Sequence, residues 1–175
     1  MRIGLLLAVA VALVPAAFAS SSGESAATIV LRLDGIGPLK LGMTGQAAVA
    51  TGWLAKRSPG CPLGGPPLPI TYKLSGPKAP AGVHGIAEFT GGRLRTLSFT
   101  RGVRTAGPWV EVGRTTVAQM VSRFRGAGFT ASSRYDDVFV GTFVTVRRGG
   151  KVVLGAFAEQ GPIAILGIPH VPVCE

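Results

Sequence analysis

Residues 39–44 read Leu-Lys-Leu-Gly-Met-Thr, and 71 positions later residues 110–115 read Val-Glu-Val-Gly-Arg-Thr. Each block follows a Gly-Pro pair and leads into a short helical pattern, so the chain is expected to use one fold unit twice. In the first copy Thr44 is placed to cap a helix, its side chain accepting from the backbone donors of the first turn. Ala47, Ala50 and Leu54 then fall at i, i+3 and i+7, with Val49 and Trp53 four apart beside them. Gly52 costs this helix ~1 kcal/mol relative to Ala, which predicts a short helix held by packing. In the second copy Thr115 takes the cap position. Val117, Met120, Val121 and Phe124 form an i, i+3, i+4, i+7 stripe, and Gly126 and Gly128 end it. At the same offset Val49, Ala50 and Trp53 correspond to Met120, Val121 and Phe124.

Around the helices the pattern turns to strand. Candidate strands cover 28–33, 70–74, 84–90, 93–100, 138–147, 151–158 and 163–168. Gly91-Gly92 and Gly149-Gly150 are two-residue hairpin signals, and Gly161-Pro162 separates the last two strands. Residues 59–69, rich in Pro and Gly, read as a loop around Cys61, and 101–106 as the connection between the copies. The expected fold is α+β: two related halves, 28–105 and 106–175, each a short helical segment packed on an antiparallel β-meander.

The first nineteen residues are organised as a secretory signal peptide. Arg2 supplies the positive start, an apolar stretch follows, and Ala17-Phe18-Ala19 places small residues where a signal peptidase reads them. The stretch falls short of the ~20 apolar residues of a membrane helix. Cleavage near Ala19 would leave a flexible leader, 20–27, on a protein that is secreted or held at the cell envelope, with no transmembrane segment. Cys61 and Cys174 are then the chain's two cysteines in an oxidising compartment, where an even pair most simply forms one disulfide. The loop so closed is worth up to about 5 kcal/mol in the chain-entropy model, less any native strain.

The formal net charge is +10. So basic a chain favours acidic partners, and outside a cell these are wall polymers and lipid head groups. No run of five like charges occurs and the basic residues are not interleaved with aromatics, so specific nucleic-acid binding is not expected. The candidate binding patch is Arg123, Arg125, Arg134, Arg147, Arg148 and Lys151. Arg123 and Arg125 suit the C-terminal end of a helix dipole, and the others lie on the loop and hairpin that follow. The alternative for these side chains is a solvated basic face.

Catalytic and metal-binding patterns are not found. His84 and His170 do not supply the three or four ligands of a zinc site, and no Gly-x-Ser-x-Gly elbow occurs. Asp136 and Asp137 are adjacent, so on a strand they point to opposite faces and make a poor acid/base couple. The segment 60–65 lacks the Gly-Lys-Ser/Thr end of a phosphate loop. No cofactor and no enzymatic activity are expected. Phe139 and Phe143 alternate with Val138, Val140, Val144 and Val146, which reads either as a central strand covered on both faces or as an apolar patch used for binding.

The run Ile36-Gly37-Pro38-Leu39-Lys40-Leu41-Gly42-Met43-Thr44, opening a helix and followed by a meander of strands, resembles a family of secreted bacterial proteins. These carry tandem helix-plus-sheet repeats of the β-lactamase inhibitor protein and small outer-membrane assembly lipoprotein type. The resemblance covers 33–174 and implies a binding scaffold, a rigid sheet surface flanked by loops. That inhibitor family tends to carry a disulfide within each repeat and an aromatic, acid-tipped surface. Here the cysteines sit in different halves, the balance is basic, and no inhibitory contact residue carries over. The expected role is a secreted, non-catalytic binding protein of unknown extracellular protein target, a protein-binding or inhibitory module. The alternative is a cell-envelope-associated protein that holds anionic wall polymers or lipids through its basic surface.

Overall fold

The computed structural model describes residues 28–62 and 66–173. The expected signal peptide and leader lie outside the described residues, as does Cys174 and with it the expected Cys61 pairing. Three short strands, β1 (Ile29–Arg32), β2 (Gly35–Ile36) and β3 (Leu39–Lys40), lead into helix α1 (Gly45–Ala50). Strands β4 (Ala55–Pro59), β5 (Ile70–Lys73), β6 (His84–Thr90) and β7 (Arg93–Arg101) follow. The chain then passes through β8 (Val103–Thr105) and helix α2 (Val117–Gly126). It finishes with β9 (Thr130–Asp136), β10 (Gly141–Arg148), β11 (Lys151–Ala158) and β12 (Ile165–Ile168). The fold is mostly β with two helices, α+β in its coarse form.

Eight strands form one antiparallel sheet in the order β4-β5-β6-β7-β12-β11-β10-β9, and the other four form a small sheet, β3-β2-β1-β8. Both Gly-Gly pairs turn hairpins as expected. Gly91 and Gly92 have φ of 60° and 72°, Gly149 and Gly150 of 54° and 77°, and a tight hairpin needs positive φ at both central positions. The segment 101–106, expected to be a plain connection, contains β8, which pairs in parallel with β1. Strand β10 begins at Gly141 rather than at residue 138, because Asp136 ends β9 by accepting from the amides of Val138 and Phe139. Val138 and Val140 therefore lie in a turn, not on a strand, and both are exposed.

The two sides of the large sheet differ because strand side chains alternate. Phe89, Ala87, Leu94, Leu97, Phe99, Leu166, Ile168, Ala156, Leu154, Val144 and Val146 are buried on one side, in a core shared with Leu31, Ile36 and Leu39 of the small sheet and Met120 and Phe124 of α2. In the turn between β1 and β2, partial burial raises the pKa of Asp34. Attraction to Lys40 and Arg32 outweighs this and holds it below the ordinary carboxylate range. Those exposed ion pairs thus add stability above the ordinary carboxylate pKa and lose it as pH falls through the depressed value.

The helix ends carry two corrections. In α1 Thr44 caps as expected, its hydroxyl accepting from Ala47 at 3.3 Å. The buried residue, however, is Ala48; Val49 is 44 % exposed, and Ala47 and Ala50 face solvent. The helix ends before Trp53, so the expected stripe of Ala47, Ala50 and Leu54 never shares a helical face. In α2 the cap is Thr116, not Thr115. The Thr115 hydroxyl is buried and accepts from the Glu111 amide at 2.9 Å, which leaves the next threonine to serve the helix. Thr116 accepts from Gln119 while the Gln119 side chain accepts from Thr116, a complete capping box. The α2 stripe holds: Met120 and Phe124 are buried, and Val117 and Val121 pack against the same core. The cap-to-cap offset is thus 72, and Ala48 rather than Val49 is the counterpart of Met120.

Candidate functional site

The side of the large sheet away from the helices is the outer face. Register places Lys73, Ile86, Ser98, Gly167, Gly155, Thr145 and Ser132 in one cross-strand row running from β5 to β9. Two glycines in the middle of that row open a trench, and the backbone of His170 and Val171 lies in it. A Cβ on Gly167 would clash with the His170 carbonyl oxygen, and one on Gly155 would stand 2.8 Å from the Val171 nitrogen. Residues 169–173 therefore cross the face as a strap, with Val171 only 9 % exposed.

A groove lies on each side of the strap. The first, of about 640 Å³, runs between the strap and the 74–83 loop, with Ile86 and Ser98 on its floor. The second, of about 460 Å³, is bounded by Ser132, Arg134, Asp136, Phe143 and the strap residues His170 and Val173. Beside it Phe139, Phe143 and Phe157 form an aromatic cluster, with ring centroids 5.5 Å apart for the first pair and 4.8 Å for Phe143 and Phe157. Val138 and Val140 stand exposed in the turn that follows β9, whereas Tyr135, the register partner of Thr142, is exposed on the opposite side of the sheet from Arg134 and Phe143. Val140 holds φ of 50°, a left-handed conformation that a β-branched residue rarely adopts, so the turn presents its valines in a strained and fixed geometry.

The structure divides the six residues of the expected basic patch. Arg147, Arg148 and Lys151 sit on the β10–β11 hairpin, where Arg148 and Lys151 are register partners. Arg125 joins them at that end of the sheet through its bond to the Ala131 carbonyl at 2.8 Å. Arg147 donates to the Gly150 carbonyl at 3.0 Å, and the Arg148 guanidinium lies 4.3 Å from the centre of the Phe129 ring. Arg134 stands apart on the outer face, paired with Asp136 at 3.0 Å. Arg123 turns away from the hairpin to donate to the Trp109 carbonyl. Four cations thus gather without a carboxylate partner among the described residues, and two do not belong to the group.

The row through Ile86 and Ser98 and the strap itself were not foreseen from the sequence. A signal was present: Gly155 and Gly167 are lone glycines inside strand patterns, which mark close backbone approach. The arrangement offers apolar grooves, hydroxyls and a few exposed charges. Among the described residues no three of His, Cys, Asp and Glu converge to hold a metal ion. No family model matches the chain, and neither a curated protein nor a solved structure matches it.

Proposed function

We propose that this is a secreted, non-catalytic binding protein, a protein-binding or inhibitory module that grips an extracellular protein with the outer face of its large sheet. The observation that carries this reading is the face itself. It is broad, held by a single eight-stranded sheet, and crossed by the strap with the 74–83 loop at its flank, with Ile86 left exposed on it and Val138 and Val140 exposed in the turn after β9. Exposed apolar groups gathered on one surface mark interaction sites. The resemblance to tandem-repeat inhibitors fits the same reading. So does a chain of two related halves: β4–β7 and β9–β12 occur in mirrored order about the β7–β12 junction, and their helix caps lie 72 residues apart. A Cys61–Cys174 disulfide would clasp such halves.

The test is affinity capture from the producer's culture fluid and envelope fractions, with washes at low and high salt and with Val138→Asp as a parallel bait. Val138 is 72 % exposed, so the substitution leaves the fold alone. One protein retained at both salt levels by the native bait, and lost with Val138→Asp, is the expected result. Retention that salt alone abolishes and Val138→Asp leaves unchanged points instead to the second reading, an envelope protein holding anionic polymers or lipids. The observation favouring that alternative is the cluster of Arg125, Arg147, Arg148 and Lys151, which has no carboxylate partner among the described residues and whose attraction would be screened at high salt.

A further inference from the structure

We infer that the groove between the 74–83 loop and the strap is a small-molecule site for an amphiphilic monoanion, an apolar body carrying one acidic head group. Its volume, about 640 Å³, lies within the range of ~300–1,000 Å³ typical of ligand sites. Leu74, Val83, Ile86, Ile165 and Val171 supply an apolar lining, with the hydroxyls of Ser98 and Thr100 on the floor. Ile86 is 42 % exposed although it sits within the sheet, an apolar side chain held open towards the groove.

Charge decides the class of ligand. Lys73 and His84 line the groove, and among the described residues no Asp or Glu does. Lys73 is the cross-strand partner of Ile86, so a head group at Lys73 places the attached apolar body on Ile86 and towards Ile165 and Val171. The complementary molecule is negative at one end and apolar elsewhere.

Both walls are built in advance. The loop is tied to the end of α1 by Gly76 donating to the Trp53 carbonyl at 3.0 Å and Lys78 to the Gly52 carbonyl at 2.9 Å. Gly76 leaves no room for a Cβ against the Gly52 carbonyl, and Gly102 none against the Gly82 carbonyl. The opposite wall is the strap, seated in its glycine trench. Walls fixed in this way spare a ligand the cost of ordering them. This site shares the outer face and Ile86 with the protein-binding reading, and Val138→Asp, outside the groove, tells the two apart.

A matched pair of fluorescent probes tests the inference. Anilinonaphthalene sulfonate carries an apolar ring system and one negative charge, and N-phenyl-1-naphthylamine has the same rings without the charge. The purified protein should bind the anionic probe with one-to-one stoichiometry, and laurate should displace it. The neutral probe should bind more weakly, by about 5-fold for a single partly exposed charge pair. Lys73→Glu should weaken the anionic probe by at least that factor, about 5-fold, and spare the neutral one. Ile86→Glu should abolish both, with thermal unfolding reporting that the variant is folded. Val138→Asp should change neither. Equal binding of the two probes, binding indifferent to Ile86→Glu, or no displacement by laurate would each overturn the assignment.

Discussion

Gly167 sits in the middle of a strand, where a glycine ordinarily weakens the element by leaving the backbone free and nothing to pack. Its place is explained by what crosses it: the His170 carbonyl occupies the space a Cβ would need. Gly167→Ala must therefore push the strap off the sheet or distort β12. A loss of about 1–3 kcal/mol, the usual cost of overpacking, is expected in urea unfolding. Gly126 is the internal control. It ends α2, has no positive φ, and nothing stands within 4 Å of its added Cβ. Gly126→Ala should be neutral or stabilising by up to ~1 kcal/mol. Equal losses at both positions would show that the strap does not press on Gly167. The two strand glycines are visible in the sequence as breaks in apolar runs. Which backbone approaches them is not, because no local pattern in residues 169–173 says that the chain turns back across the sheet.

At the scale of the element, the capping of α2 shows how tertiary structure chooses between neighbouring residues of equal propensity. Thr115 and Thr116 are both good caps, and the repeated block singled out Thr115. The fold instead spends the Thr115 hydroxyl on the Glu111 amide, so the helix takes Thr116. Thr116→Ala is expected to cost ~1 kcal/mol and to speed hydrogen exchange at the Gln119 amide. Thr115→Ala should cost about 1–3 kcal/mol by stranding the Glu111 donor, and leave exchange at Gln119 slow. Faster exchange at Gln119 in the Thr115 variant alone would reverse the assignment. Strands show the same division between local and distant causes. Inner strands β6, β7, β11 and β12 were legible from apolar runs and Gly-Gly turns. Strands β4 and β9 were missed, and these are the two edges of the sheet. Edge strands are kept from pairing with other chains by charge and Pro, and Lys56, Arg57 and Pro59 on one edge and Arg134 and Asp136 on the other remove the apolar alternation that announces a strand. The basic cluster was half legible for the same reason. Arg147, Arg148 and Lys151 share a hairpin, and sequence separation alone brings them together. The positions of Arg134 and Arg123 depend on an ion pair and a long-range carbonyl.

At the scale of the molecule, everything hangs on one seam. Among the described residues, strands β4–β7 and β9–β12 are joined in the sheet by the pairing of β7 with β12, through Leu97–Ile168, Ser98–Gly167 and Phe99–Leu166. Leu97, Phe99, Leu166 and Ile168 are all fully buried there, and the core on either side is a single cluster rather than two. The outer-face row crosses this same seam, which is why it was not readable from local pattern: it depends on register between strands some 70 residues apart. A cavity at the seam should therefore be felt on both sides. Leu166→Ala is expected to lower stability by about 2–5 kcal/mol, the range for truncating a buried leucine. The loss should appear equally in the exchange-protected amides of β6 and of β10, with unfolding remaining a single transition. If β10 loosens while β6 keeps its protection, the two sets of strands unfold separately and the seam is a contact between independent units. Equal loss means that the strap and both grooves ride on one cooperative sheet, so a ligand or partner bound on either side of the seam stabilises the whole chain by mass action.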